Sequence, residues 1–372
     1  RAEKDEDPDM RRAAMEALAR GWKAWKDDPD TLHILKAHAQ EDEDHYVWSA
    51  AVDALAHGWK DDPDTLPILK TRAQENEDWE VRRAAVQELA RGWKDDPDTL
   101  PILEARAQED EHPEVRRAAV QELARGWKDD PDTLPIIKTR ALKDKHPYMR
   151  LAAVRELARG WRDDPETLPI LKTRAQEDED HYVRSAAVLA LALGWKDDPD
   201  TLPILKTRAQ EDADHYVRRA AVQELALGWK DDPDTLPILK TRAQKDEYND
   251  VRRAAVQELA RGWKNDPDTL PILKTRALED EYHGVRSVAV EELARGWKDD
   301  PDTLPWLKSR AQEDEHWDVR RAAVQELARG WKDDPDTLPI VKTRAHEDED
   351  PDVRSVAVEA LARGWKDDPE VQ

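Results

Sequence analysis

The pair Gly-Trp returns every 34 residues: Trp59, Trp93, Trp127, Trp161, Trp195, Trp229, Trp263, Trp297, Trp331 and Trp365 share one register, and Trp25 keeps the phase. A chain that copies itself at this period does not divide into ordinary globular domains. Each copy is one supersecondary unit that must bury its apolar face against its neighbours. The register gives an N-terminal half repeat with an irregular insertion (1–24), ten repeats of 34 residues (25–364) and a C-terminal stub (365–372).

The unit from Trp195 to Gly228 reads as two helices. Asp198-Pro199 predicts a cap followed by proline at the first helical position. Leu202, Ile204, Leu205 and Ala209 then give helix A an apolar side, and Pro203 is expected to bend its axis slightly. The acidic run Glu211-Asp212-Ala213-Asp214 ends it. Asp214 is the expected cap of helix B, because other repeats place Pro113, Pro147 or Pro351 at the next position. Helix B should run from about His215 through Leu227, with Gly228 closing it in the left-handed conformation. Val217, Ala220, Ala221, Val222, Leu225 and Trp229 share one arc of that helix. Arg218 falls inside the arc and needs a carboxylate; the aspartates of the A–B turn are the expected source, Asp212 in this repeat.

Three features together resemble the HEAT repeat: the early proline of Leu-Pro-Ile-Leu, the acidic turn, and Val-Arg-x-x-Ala opening helix B. Val81-Arg82, Val115-Arg116, Val183-Arg184, Val217-Arg218, Val251-Arg252, Val285-Arg286, Val319-Arg320 and Val353-Arg354 fit, with Met149-Arg150 close. The resemblance implies an all-α fold, a right-handed α-α superhelical solenoid with helix B on the concave side, an Asp–Arg ladder between repeats, and a role as a binding scaffold. The tetratricopeptide repeat shares the period, but this chain has no phenylalanine and its proline and Val-Arg positions fit HEAT. Two departures stand out. The first full repeat has Trp48 at the ladder arginine and His33 at the helix A proline, and Gly21-Trp22-Lys23-Ala24-Trp25 inserts three residues before it.

Charge narrows the function. The net charge of −24 is spread over the repeats and disfavours nucleic acid and anionic membrane as partners. No apolar stretch of about 20 residues is present. Disulfides are excluded, since the chain has no cysteine. We read the chain as cytoplasmic and as part of something longer. No catalytic constellation emerges: the serines lack His/Asp partners at a useful spacing, and no glycine-rich phosphate loop occurs. The reading is therefore non-enzymatic, with no cofactor and no metal; histidines beside acidic turns, such as His181, lie a whole repeat from their equivalents.

Positions that vary between repeats are free to bind. They fall at the A–B turn and then along one stripe of helix B, opposite the packing arc. Most repeats fill the stripe with polar groups, but three consecutive ones carry Tyr148 and Leu151, then Tyr182, Leu189 and Leu193, then Tyr216 and Leu227, with Arg155, Arg159 and Arg219 among them. This composition is that of interface hot spots, and these ten are the candidate site for a protein or peptide partner. Trp79, Trp306 and Trp317, outside the Gly-Trp register, are secondary candidates. A sensor region of a larger signalling ATPase is the alternative, by analogy alone. The last helix B is as apolar as the others at Val356, Val358 and Leu361, so either the chain is expected to continue or its ends are expected to associate.

Overall fold

The structure is a computed structural model and describes residues 6–20, 29–42 and 44–366. The insertion Gly21–Trp25 and the stub beyond Lys366 lie outside the described residues. Among the described residues every element is helical and none is a strand. A lone helix, Pro8–Arg20, precedes Pro29–Glu41 and His45–Gly58. From there an 11-residue helix A alternates with a 14-residue helix B, as in Thr201–Glu211 and His215–Gly228. The chain divides into two compact units, residues 1–190 and 191–372. Within each unit, helix B packs along helix B of the next repeat, whereas consecutive A helices touch at few points.

Burial explains the alternation. In helix A, Thr201, Ile204, Leu205 and Ala209 are buried; Leu202 is only half covered. In helix B the expected arc is closed, with Val217, Ala221, Val222 and Leu225 fully buried. The valine and leucine side chains each contribute roughly 1.5–3 kcal/mol.

The helix ends differ from the sequence reading in two places. Helix A starts at Thr201, not after Asp198, because the Asp198 region folds first into two consecutive turns: Asp198 N donates to Trp195 O, and Thr201 N to Asp198 O. The Asp198 carboxylate receives the Asp200 amide instead of capping the helix. Pro203 is thus the third helical residue. The first i→i−4 bond is Ile204 N to Asp200 O, so the proline removes none. At the other end, no described residue has positive φ, glycine included. Gly228 is the last residue of the helix itself, and the Trp229 amide closes the turn on Leu225 O at 2.9 Å. A Cβ at Gly228 would meet only Lys196 Cε, at an ordinary 3.9 Å; nothing in the structure explains the glycine. The Trp229 ring lies under the Lys196 ammonium, 5.7 Å away, and this lysine-on-tryptophan contact recurs from Lys60 on Trp93 to Lys332 on Trp365.

Asp214 caps helix B as expected, its carboxylate accepting from Tyr216 N at 2.8 Å. The Arg218 partner is one repeat further on than Asp212. Nε and Nη2 form a fork on Asp246, 28 residues ahead, at 2.9 and 2.8 Å, while Asp212 supplies only its backbone oxygen, at 2.8 Å. Asp246 is also held by Arg242 of its own helix A, at 3.1 Å, and by the Tyr248 amide, at 3.0 Å. Burial would raise the Asp246 carboxyl, but these bonds outweigh it and hold it below the usual aspartate range. The same fork joins Arg82 to Asp110, Arg116 to Asp144, Arg150 to Asp178, Arg252 to Asp280 and Arg320 to Asp348.

The first repeats keep one rung of the ladder and replace the next. Arg11 of the half repeat reaches Asp42 at 3.0 Å, 31 residues on, which is the ladder spacing plus the three inserted residues. Trp48, at the arginine position, is buried and donates its indole N–H to Ala39 O. The carboxylate that an arginine there would have taken is replaced as well: the position 28 residues on is Asn76.

A second, outer clamp links the A helices. Lys70 binds Asp96 and Asp98 of the next repeat, at 2.6 and 2.8 Å, and Lys138, Lys240 and Lys308 do likewise. One repeat breaks it. Glu104 takes the lysine's place against Asp130 and Asp132, and burial, then those two charges, push its carboxyl above the usual range.

Two outcomes are expected. Arg218→Ala should lower unfolding free energy by roughly 3–5 kcal/mol, because it takes the forked partner from buried Asp246 and leaves it only the Arg242 and Tyr248 bonds. Arg219→Ala should cost under about 1 kcal/mol, since that residue is part-exposed; equal shifts in urea melts would contradict the facing. Glu104→Lys should stabilise by about 0.5–1 kcal/mol at pH 7. A carboxyl raised in the folded state opposes folding only above its ordinary range, so the gain should shrink in melts at pH 4; no gain at pH 7 would refute the clamp.

Candidate functional site

The ten candidate residues fall six in the first unit and four in the second. In the first, Tyr148 opens the helix Pro147–Gly160 at the A–B turn, with Leu151, Arg155 and Arg159 following on its outward stripe. Tyr148, Leu151 and Arg155 line a shallow groove with Arg117 and Gln121 of the preceding helix B. Tyr148, Arg155 and Arg159 are exposed and Leu151 is half-buried. Tyr182 and Leu189, on the helix His181–Gly194, are exposed too, and the Tyr182 ring leans on His181.

In the second unit Leu193 is 77 % exposed and Leu227 72 %. Tyr216 is exposed at the start of its helix, with the Arg219 guanidinium over its ring at 5.2 Å. Arg219 does not simply face solvent, as its place in the stripe suggested: Nη1 also reaches Asp250 of the next repeat at 3.3 Å.

The turn edge holds contacts that the sequence reading missed. His215 stacks on Tyr248 at 4.3 Å, nearly parallel, and its Nδ1 meets Asp250 at 2.9 Å. His283 stacks on His316 at 3.5 Å, and Trp79 on His112 at 4.0 Å. Burial, then the His283 charge, lower the His316 pKa. The signal was present: an aromatic at the first residue of helix B faces an aromatic at the cap of the next. Trp79 is therefore half-buried in this row and so is Trp317, under Arg321. Trp306 stands in register after all, at the position filled by Ile204 and Ile238 elsewhere, and is half-buried. Gly284 lies inside His283–Gly296; a Cβ there would come within 2.7 Å of the Tyr282 ring.

Among the described residues two groups could share a cation, and neither lies at the histidine turns considered from the sequence. Asp53, His57 and Glu88 bring their donor atoms within 4.8 Å of one another, as do Glu104, Asp130 and Asp132. In the first group Glu88 is also bonded by Arg91 at 3.0 Å. No described helix is long and apolar enough to cross a membrane.

The HEAT-repeat family model matches this chain at residues 49–124, 100–192, 142–226, 189–260, 225–294 and 270–362. No curated protein matches the sequence. Among solved structures, Kap95p in complex with RanGDP is similar with a TM-score of 0.64 at 15 % identity, over 99 % of this chain and 56 % of that one. Kap121p, a karyopherin, is similar with a TM-score of 0.53 at 14 % identity, over 97 % of this chain and 44 % of that one. YibA from E. coli is 21 % identical over 75 % of this chain and 97 % of its own, with a TM-score of 0.47. The chain thus spans about half the length of the two karyopherins. With matches running from residue 49 to residue 362 and helix pairs joined by the Arg–Asp fork, the chain belongs to the HEAT-repeat family.

Proposed function

We propose that this chain is a non-enzymatic scaffold that holds a protein partner on the concave side lined by its B helices. The observation that carries the reading is the contrast along single helices. Leu225 is fully buried, and two residues on Leu227 is 72 % exposed at a position where most repeats have arginine. A large aliphatic side chain held in water at a place the fold does not need is the mark of an interface. The equivalent positions carry Tyr148, Leu151, Arg155, Arg159, Tyr182 and Leu189 in the first unit, and Leu193, Tyr216 and Arg219 in the second. The closer packing of B helices than of A helices within each unit supports the concave placement. Kap95p binds RanGDP, and Kap121p has been crystallised bound to Nup53p and to Ulp1p; proteins of similar fold thus take protein partners.

Site-specific photo-crosslinking tests the reading. A photoreactive residue at Leu189 or Leu227 should capture a discrete partner from cells, whereas one at Gln210, exposed on helix A, should not. Equal capture from both faces, or capture from helix A alone, would contradict it.

A further inference from the structure

Helix B repeats a glutamate with an arginine three residues later: Glu88 and Arg91, Glu122 and Arg125, Glu156 and Arg159, Glu258 and Arg261, Glu292 and Arg295, Glu326 and Arg329. These arginines pair either with the glutamate of their own helix or with that of the next. Arg91 and Arg125 bond the glutamate of their own helix, at 3.0 and 3.3 Å. Arg295 and Arg261 lean onto the glutamate of the next helix B, at 2.8 and 3.5 Å.

Glu224 has neither. Its own arginine position is Leu227, and the position that would lean onto it from the previous repeat is Leu193. The preceding repeat loses the acid with the base, having Ala190 where the glutamate would stand; Glu224 keeps the acid alone. It is half-buried. Burial, then repulsion from Glu258, push its carboxyl above the usual range, with no cation to oppose them. The two most exposed leucines of the chain therefore occupy the two positions from which arginines reach this glutamate in other repeats.

We propose that Leu193, Leu227 and Glu224 form a docking site for a basic, aliphatic peptide segment of a partner protein. Aliphatic side chains of the guest cover the leucines, and its arginine or lysine pairs with Glu224 where the two missing arginines would have stood. The net charge of −24 favours the encounter with a cationic segment. This rests on the helix-B stripe being the partner face and adds the chemistry of what it takes.

The test uses the full chain and three labelled synthetic helical peptides of equal length: one of leucine and arginine, one with glutamate for arginine, one with serine for leucine. Fluorescence anisotropy should show the Leu/Arg peptide binding at least ~10-fold tighter than either control. Leu193→Arg/Leu227→Arg, which restores the side chains that other repeats already carry, should weaken it ~10-fold without lowering Tm. Glu224→Gln should reduce the salt dependence of binding while leaving the leucine contacts. Equal binding of the Leu/Glu peptide, binding unaffected by the double substitution, or no binding of any peptide would overturn the proposal. So would concentration-dependent dimerisation abolished by the double substitution, which would assign the surface to a second copy. Crosslinks from Leu227 to an acidic or neutral segment would leave the scaffold reading standing and remove only this one.

Discussion

A guanidinium between two packed helices is stable only where a carboxylate meets it, and the rest of this structure depends on that requirement. A ladder arginine such as Arg150 reaches forward to the aspartate of the next repeat, Asp178, and backward to a backbone oxygen of its own turn, that of Asp144. The aspartate is also fixed by its own helix A arginine and by a turn amide, as Asp178 is by Arg174 and Asp180. One charge pair thereby sets three things: the A–B turn, the angle between the helices it joins, and the distance to the next repeat. Alanine and valine arcs supply the burial energy, but they are nearly interchangeable along the stack. The fork is directional and fixes the register.

The exception supports the rule. Trp48 removes the arginine and Asn76 the carboxylate that would have answered it, so no charge is left stranded. A repeat can therefore leave the ladder only if both halves change. Glu224 is the contrary case beside the variable stripe of helix B, an acid kept after its bases have gone. The first is compensated inside the chain; the second is not, and for that reason it points outward.

Much of this was legible in the sequence because repetition turns one chain into its own comparison set. The period, the two-helix unit, the apolar arc, the need for an acid opposite Arg218 and the exposure of Leu193 and Leu227 all follow from spacing. The resemblance implied a ladder between repeats, but the residues alone did not show which partners meet across them. Asp212 and Asp246 are equivalent in sequence, so choosing between them needs the direction in which Arg218 leans. The His283–His316 stack joins different positions of adjacent units, which a comparison of like with like does not bring together. The helix A start was misplaced because Asp198-Pro199 has the composition of a cap, whereas the chain makes two more turns before Thr201. Gly228 was assigned a left-handed ending that the Trp229 amide makes unnecessary.

A frame that holds itself through buried pairs leaves the stripe of helix B only part-exposed pairs such as Arg219 with Asp250, so its residues can change at small cost to the fold. The division of labour stands or falls on whether the fork is a true coupled pair. A double-mutant cycle on Arg150 and Asp178 measures this directly, with unfolding free energies of Arg150→Ala, Asp178→Ala and the double variant taken from urea melts. The account predicts that the double variant loses clearly less than the sum of the singles, with a coupling of roughly 1.5–3 kcal/mol. Additivity within about 0.5 kcal/mol would contradict it and leave apolar packing alone to set the register.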